Sequence, residues 1–158
     1  MKISISLPDS ASTDALGAQL VAALPPCPNA WMILLQGELG AGKSTLARAM
    51  LRSMGHAGAV PSPTYTLVEP YSFADFTAYH IDLYRISDTE ELEYLGWTDL
   101  EDGFRLIEWP ERVPALSALA DLSILLRYVG SGRQAELVAT SERGTEVIKS
   151  IGSRLVSF

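Results

Sequence analysis

A glycine-rich segment near the start of the chain constrains the fold more than any other feature. It runs from Gly37 to Ser44 and has the spacing G-x-x-x-x-G-K-[ST]. Trp31 to Leu35, just before it, form a continuous apolar run of buried-strand length, and Thr45 to Arg52, just after it, have a helical pattern. Such a loop directs backbone N–H groups and the positive end of a helix dipole at one point. The sequence therefore predicts a strand, a phosphate-binding loop and a helix, with a site for an anion of triphosphate size.

The spacing within this loop also predicts a role for individual residues. Lys43 should reach the β- and γ-phosphates of a nucleotide, the Ser44 hydroxyl should bind Mg²⁺, and Thr45 should lie near the α-phosphate. Gly40 and Gly42 allow the backbone to approach a phosphate where a Cβ atom would collide with it. We expect the whole loop to contact the nucleotide, namely Gly37, Glu38, Leu39, Gly40, Ala41, Gly42, Lys43, Ser44 and Thr45.

Composition narrows the class of protein further. At 158 residues the chain is most simply a single domain, 1–158, and it has no apolar run of membrane-spanning length. Its N-terminus alternates polar and apolar residues, unlike a signal peptide. Cys27 is the one cysteine, which suits a reducing cytoplasm, so we expect a cytoplasmic protein that does not associate with a membrane. The net charge of −7 argues against nucleic acid as a direct, stand-alone ligand.

Strand-like and helix-like segments alternate along the chain. The patterns predict strands at 2–6 (an edge strand), 31–35, 66–71, 76–81, 104–107, 121–128 and 134–139. They predict helices at 12–24, from the loop to about Met54, at 87–95, at 114–119, and at the C-terminus through Val147, Ile148, Ile151 and Leu155. Together they indicate an α/β fold, a P-loop NTPase-like three-layer sandwich. Its central sheet should be mixed, parallel around the loop, with a C-terminal β-hairpin.

Two carboxylates follow predicted strands and are candidates for binding Mg²⁺ or orienting water. Asp82 follows the strand 76–81, and Glu108 follows the strand 104–107. In open α/β sheets, ligands bind at the carboxyl ends of the strands. Either residue could instead cap a helix or pair with an arginine. The residues alone leave open which of the two orients the attacking water.

Thr64 and Trp109 are two further candidates. Thr64 lies in a proline-braced loop between the predicted loop helix and the next strand, where a threonine can sense Mg²⁺ or a γ-phosphate. The alternative is an ordinary Pro-Thr turn. Trp109 could stack on a base or on a partner, although half-buried packing is the commoner role of a lone tryptophan.

Several nucleotide-dependent classes remain compatible with these residues, and others do not. The chain has no Asn-Lys-x-Asp motif, which disfavours a guanine-specific GTPase, and no Leu-Ser-Gly-Gly-Gln-like stretch, which disfavours an ABC-type ATPase. The segment 87–102 is acidic and lacks the arginines that small-molecule kinases often carry on a lid. An ATPase is one hypothesis. A small-molecule kinase is the alternative, and a module that senses ATP without needing to hydrolyse it is a third.

Taken together, the chain resembles the bacterial TsaE (YjeE) family, the P-loop ATPases of tRNA threonylcarbamoyladenosine synthesis. The resemblance covers nearly the whole chain and rests on four motifs in family order, at 37–45, 62–66, 80–85 and 107–110. An acidic helix at Glu90 to Glu93 also matches. Glu38 stands where the family often has Asp, and Ser44 where it often has Thr, and both substitutions preserve the chemistry.

The resemblance implies a function that no spacing shows. It implies that ATP and Mg²⁺ are bound, and that the protein works with TsaD-like and TsaB-like proteins, which hold the tRNA and modify adenosine 37. It further implies that Glu108 binds or positions Mg²⁺, that Asp82 is the Walker B-like acid, and that Thr64 belongs to a switch loop. Adenine is expected near the N-terminal segment, around Ser10 to Thr13.

Overall fold

A mixed seven-stranded sheet forms the centre of the protein. A computed structural model describes residues 1–155, with side chains to residue 154; that the full chain 1–158 is a single domain stays a prediction. The strands are β1 Lys2–Leu7, β2 Met32–Gly37, β3 Val68–Ser72, β4 Thr77–Asp82, β5 Phe104–Glu108, β6 Leu122–Val129 and β7 Gly132–Ala139. Their order across the sheet is β1-β7-β6-β2-β5-β4-β3, and β2 is therefore central.

The direction of the strands divides the sheet into a parallel centre and antiparallel edges. Strand β2 is parallel to both of its neighbours, β5 and β6, and β4 is parallel to β5. The hairpins β3–β4 and β6–β7 are antiparallel, and β1 pairs antiparallel with β7 at one edge. The predicted mixed sheet, edge strand and C-terminal hairpin are thus confirmed. Proline is tolerated at Pro70 because β3 is the other edge strand.

Helices cover both faces of the sheet. They are α1 Ser10–Ala23, α2 Lys43–Ser53, α3 Glu91–Tyr94, α4 Trp97–Leu100 and α5 Glu142–Leu155, with 3₁₀ turns at Pro110–Arg112 and Pro114–Ala118. None of the described helices is long and apolar enough to cross a membrane. Alternate residues of β2 enter different cores: Ile33 and Leu35 pack with α1, α2 and α5, whereas Met32 and Leu34 pack with α3, α4 and the second 3₁₀ turn. This alternation produces the predicted three layers.

The predicted helical stripes occupy the first core. Leu16, Leu20 and Leu24 of the N-terminal segment are buried, as are the predicted inner residues of α5. Those α5 residues are Val147, Ile148 and Ile151. The side chain of Leu155, also predicted to face inward, lies outside the described side chains.

Several predicted boundaries differ from those of the structure by one or two residues or more, and three of the differences have a clear local reason. Helix α1 begins at Ser10 rather than residue 12, because the Asp9 carboxylate caps it by accepting a 2.9 Å hydrogen bond from the Ser12 N–H. Strand β3 begins two residues later than predicted, because Leu67 has a left-handed φ of 68° in a turn. The single helix predicted at 87–95 is only the short α3. Gly96 does end it, in the left-handed region, but a second short helix, α4, follows.

Candidate functional site

The glycine-rich loop connects β2 to α2 at the carboxyl edge of the parallel strands. Gly42 immediately precedes α2 with a φ of 108°, a conformation that residues with a Cβ rarely adopt. A Cβ on Gly37 would lie 2.6 Å from the Leu126 carbonyl oxygen of the adjacent strand β6. The glycines therefore allow the loop to turn tightly against the sheet, and the predicted sequence of strand, loop and helix is confirmed.

Lys43, the first residue of α2, folds back over the loop. Its side chain is buried, and its Nζ donates hydrogen bonds to the carbonyl oxygens of Gly37 (2.5 Å) and Glu38 (3.1 Å). The same Nζ lies 4.1 Å from the ring centroid of Trp109. Burial lowers the pKa of Lys43, and nearby carboxylates, first among them Glu108, oppose that shift. The ammonium group is thus held at the loop by carbonyl oxygens and an aromatic face.

The two predicted carboxylates lie side by side. Asp82 ends β4 and Glu108 ends β5, and the two residues are partners in the register of these parallel strands. Both are buried, and the Ser44 hydroxyl lies 3.1 Å from each carboxylate oxygen of Glu108. Burial raises the pKa of Asp82, the charge of Glu108 raises it further, and the N–H of Tyr84, which donates to Asp82 at 2.8 Å, opposes both effects. Ser44, Asp82 and Glu108 therefore form one oxygen-rich cluster.

The proline-braced loop reaches this cluster through Thr64. Its hydroxyl lies 3.4 Å from Oδ2 of Asp82 and 2.8 Å from the Ser62 hydroxyl. Trp109 also borders the cluster, with its ring 4.9 Å from that of Tyr84. Thr64 and Trp109 thus both line the cavity beside this cluster, and their functional roles remain predictions.

Two cavities adjoin the loop. The larger, of about 360 Å³, lies on the side of the carboxylates. Its lining includes Leu39, Gly40, Gly42, Lys43, Ser44, Thr45, Ser62, Thr64, Asp82, Tyr84, Glu108 and Trp109. The smaller, of about 200 Å³, is lined by Ser10 and Thr13 of α1 and by Arg133 of β7, among others. Both cavities include Gly40, Gly42 and Thr45, so the loop separates the predicted adenine region from the carboxylates.

The four other residues in the first half of the loop differ in their relation to these cavities. Ala41 lines the smaller cavity, and Leu39 lines the larger one with its side chain exposed. Gly37 and Glu38 are not among the lining residues of either cavity and are joined to the site through the bonds of Lys43 to their carbonyl oxygens.

Three residues at the site were not anticipated from the sequence. His80 is fully buried, and its Nε2 lies 2.5 Å from Oε2 of Glu108. Tyr128 of β6 donates a 3.0 Å hydrogen bond to the Leu39 carbonyl oxygen, and the Arg133 guanidinium lies 4.0 Å from the Tyr128 ring centroid. The alternation of β4 could have indicated His80, which shares a face with Asp82. Nothing local in the sequence indicates the other two.

The cluster fits a magnesium ion by its donor chemistry. Ser44, Asp82 and Glu108 supply only oxygen atoms, which Mg²⁺ prefers. Within residues 1–155 no group of three or more His, Cys, Asp or Glu side chains is arranged to hold a metal by itself. Mg²⁺ commonly uses one or two carboxylates together with substrate phosphates and water, so a protein cage of that kind is not required.

The parallel centre of the sheet, the glycine-rich loop at its carboxyl edge and the following helix define a protein of the P-loop NTPase-like fold class. The family model described as "Threonylcarbamoyl adenosine biosynthesis protein TsaE" matches residues 7–135. The chain belongs to this family, which confirms the resemblance seen in the four motifs.

Similar proteins support the same conclusion. The tRNA threonylcarbamoyladenosine biosynthesis protein TsaE of Haemophilus influenzae is 44% identical over 124 residues, which are 77% of this chain and 78% of that protein. The protein of the same name from Synechocystis sp. is 44% identical over 116 residues, 70% of this chain and 71% of the relative. The crystal structure of Bacillus subtilis YdiB aligns with 98% of this chain and 96% of its own, with a TM-score of 0.74 and 23% identity, and shows the fold alone.

Proposed function

We propose that this protein is a cytoplasmic Mg²⁺-dependent ATPase that supports formation of N6-threonylcarbamoyladenosine at position 37 of tRNA by driving a cycle in a complex of TsaD-like and TsaB-like proteins. The observation that carries the proposal is the convergence of Lys43, Ser44, Asp82 and Glu108 on one cavity beside the loop. The names of the relatives, which refer to tRNA threonylcarbamoyladenosine biosynthesis, supply the pathway.

In this proposal the loop binds the triphosphate. Backbone N–H groups at the start of α2 and the Lys43 ammonium neutralise the phosphate charge. Ser10 and Thr13, which line the smaller cavity together with Thr45, would contact the adenosine part of the nucleotide. The volumes of the two cavities, about 360 Å³ and about 200 Å³, leave room for a nucleotide that extends across the loop.

Hydrolysis transfers the γ-phosphoryl group to water and releases ADP and phosphate. Mg²⁺, when bound, neutralises charge that develops on the phosphate oxygens. The chain contributes the Ser44 hydroxyl and the Glu108 carboxylate as ligands, and Asp82 completes the set or orients the attacking water. Thr64, in contact with Asp82, would transmit the state of the nucleotide to the loop 61–67.

The charge of the chain fits a protein that meets tRNA mainly through partners. A net charge of −7 gives little of the phosphate neutralisation on which direct binding of nucleic acid depends. We therefore assign the tRNA to the TsaD-like and TsaB-like proteins. Because those partners would complete the site, we expect slow hydrolysis by the isolated chain.

The experiment that tests this function measures phosphate release from ATP. The purified chain is assayed alone and then with TsaD-like and TsaB-like proteins and tRNA, and modified adenosine is measured by mass spectrometry. We expect strong stimulation by the partners and none with Lys43→Ala. Lys149→Ala is the matched control, since Lys149 is an exposed residue of α5 whose bond is to Glu146.

An absence of stimulation together with an absence of modified tRNA would contradict the proposal. If a phosphorylated product instead appeared when the protein and ATP were incubated with a metabolite pool, the protein would be a small-molecule kinase. If Glu108→Ala bound ATP, could not hydrolyse it and still supported tRNA modification, the protein would act as an ATP sensor.

A further inference from the structure

A buried histidine contacts the carboxylate that we place at the metal. The side chains of His80 and Glu108 are 1% and 4% exposed, and Nε2 of His80 lies 2.5 Å from Oε2 of Glu108. His80 is not among the residues that line the cavity. It therefore touches a residue of the site from behind and does not face the nucleotide position.

The register of β4 and β5 explains the contact. His80 is paired with Leu106, and two residues further on Asp82 is paired with Glu108. Because side chains alternate along a strand, His80, Asp82 and Glu108 all lie on the face of the sheet that α2 covers. His80 reaches Glu108 diagonally across the strands, while Ser44 approaches both carboxylate oxygens from α2. The Glu108 carboxylate is thus held from two sides.

Hydrogen bonding gives this contact a direction. An ionised carboxylate only accepts hydrogen bonds, so Nε2 of His80 must carry a hydrogen and act as the donor toward Glu108. This is true of the neutral ring and of the protonated ring. The other ring nitrogen, Nδ1, is buried and has no hydrogen-bond partner among the described residues. Burying a polar atom without a partner costs free energy, and an apolar side chain would fill the same space without that cost. Compared with an apolar side chain, a histidine at position 80 contributes one interaction, the hydrogen bond to Glu108.

We propose that His80 is a positioning residue that holds the Glu108 carboxylate in the orientation that faces Ser44, and so sets the affinity of the site for the divalent cation that accompanies the nucleotide. This inference rests on the proposed function and adds to it. Residues that hydrogen-bond to a metal ligand commonly affect metal affinity as much as 10- to 100-fold. His80 lies outside the loop to which we assign the nucleotide and does not line the cavity, so affinity for nucleotide without metal should not change.

The first test compares His80→Leu, which removes the donor, with His80→Gln, whose amide can donate from nearly the same place. Mn²⁺, a paramagnetic substitute for Mg²⁺, is titrated into the protein with ADP and followed by electron paramagnetic resonance. We expect His80→Leu to weaken Mn²⁺ binding by about 10- to 100-fold. We expect His80→Gln to retain most of the wild-type affinity. ADP affinity without metal should be equal in all variants. His56→Gln, at the other histidine, which is partly exposed and does not line the cavity, is the matched control.

A double-mutant cycle separates positioning from packing. If His80 acts through Glu108, His80→Leu should cause no further loss of Mn²⁺ affinity in a Glu108→Ala background. A merely structural role predicts that the two losses add, and additive losses would overturn the inference. Thermal unfolding is measured for each variant, and if His80→Leu does not fold, His80→Asn replaces it, since that amide is too short to reach Glu108.

Nuclear magnetic resonance tests the hydrogen bond without any nucleotide or metal. The chain has only two histidines, His56 and His80, so His56→Gln assigns their ring signals. We expect an Nε2–H signal of His80 that exchanges slowly with solvent, because both partners are buried, and we expect Glu108→Ala to abolish it. A rapidly exchanging Nε2–H in the wild-type protein would overturn the inference.

The outcomes distinguish this inference from the function on which it rests. Wild-type protein that binds no nucleotide in a metal-dependent way contradicts both. Wild-type protein with metal-dependent binding and hydrolysis, together with a His80→Leu variant of unchanged Mn²⁺ affinity, contradicts the inference alone.

Discussion

Asp82 and Glu108 are the last residues of adjacent parallel strands and lie opposite one another in their register. Parallel strands bring their carboxyl ends to the same edge of a sheet, so two acids that are far apart in sequence share one site. Their environments differ. Glu108 contacts Ser44 and His80, whereas Asp82 contacts Thr64 and the N–H of Tyr84. This asymmetry indicates different roles in the proposed reaction.

Replacing each acid by its amide should separate those roles. We expect Glu108→Gln to weaken strongly the Mg²⁺ dependence of ATP affinity, because the Glu108 carboxylate contacts the Ser44 hydroxyl, which the loop motif predicts to bind the metal. We expect Asp82→Asn to retain Mg²⁺-dependent binding and to lower kcat by about 100-fold or more, as expected for loss of a group that orients water. Calorimetric titration of ATP with and without Mg²⁺, together with single-turnover hydrolysis, distinguishes the two variants.

Glu111→Gln is the control for this comparison, because Glu111 is an exposed acid near the site that does not line the cavity. Equal loss of Mg²⁺ dependence in Asp82→Asn and Glu108→Gln would contradict the division and show that both acids hold the metal.

We expect the Trp109 ring to stabilise the position of the Lys43 ammonium group. The ring lies 4.1 Å from the Lys43 Nζ, and it borders the cavity. We expect Trp109→Leu to weaken ATP binding by about 1 to 2 kcal/mol because the ammonium group loses its aromatic contact, a change of roughly 5- to 30-fold. Trp109→Phe, which retains an aromatic face, should lose less. Calorimetry measures both affinities.

Trp97→Phe is the matched tryptophan control, since Trp97 packs with the second core and does not line the cavity. An unchanged ATP affinity in Trp109→Leu would show that the cation–π contact does not position Lys43 for the nucleotide.

The contact between α1 and α2 leaves no room for a larger residue at Gly17. A Cβ there would lie 2.6 Å from the Cβ of Ala49 and 3.1 Å from the backbone N of Met50. We expect Gly17→Ala to lower the free energy of unfolding by about 1 to 3 kcal/mol, the usual cost of overpacking. Because α2 carries Lys43 at its start, ATP affinity should fall as well. Urea denaturation and calorimetry measure the two effects.

Gly152→Ala is the matched control within a helix, because a Cβ on Gly152 meets no described atom within 4 Å. We expect it to raise the free energy of unfolding by as much as about 1 kcal/mol, through helix propensity alone. Equal effects of the two substitutions would show that α1 and α2 can separate slightly without cost.

Asp121 lies at the end of the sheet opposite to the glycine-rich loop, just before β6. Its carboxylate accepts hydrogen bonds from Arg143 Nε (2.8 Å), the Ser141 hydroxyl (2.7 Å) and the Met32 N–H (3.0 Å). Burial by itself would raise the pKa of Asp121, but these bonds outweigh burial and lower the pKa below the usual range for an aspartate. The network thus joins α5 to the start of β2 most strongly when Asp121 is ionised.

The sign of the pH dependence follows from that lowered pKa. Asp121 binds its proton less tightly in the folded than in the unfolded state, so its stabilising contribution is present above the ordinary pKa of an aspartate. The contribution falls as the pH drops through the lowered pKa of the folded state. We expect Asp121→Asn to cost about 2 kcal/mol near pH 7, and the difference from wild type to shrink in acid. Urea denaturation from pH 7 to pH 3 measures it.

Glu136→Gln is the control, because Glu136 pairs with the exposed Lys2 at the surface and should contribute little. A difference between wild type and Asp121→Asn that stayed constant down to the lowest pH would contradict the assignment of the effect to the Asp121 charge.

The sequence alone predicted the part of the site that lies within one short stretch of the chain. The run before Gly37, the glycines of the loop and the helix from Lys43 are contiguous, and their hydrogen bonds and φ angles depend on near neighbours. The positions of Asp82 and Glu108 at strand ends followed from apolar runs of strand length. The family motifs depend on these same short segments.

Tertiary structure decided the contacts that cross the sheet and the lengths of weakly specified elements. Strand register brings His80 to Glu108, and the β6–β7 hairpin brings Tyr128 to Leu39, 89 residues away in sequence. The segment 87–95 has helix-forming residues, yet the fold permits only the four-residue α3 before Gly96 turns the chain. Such contacts depend on which strands pair and in which register, and no local propensity contains that information because it arises only when distant segments pack together.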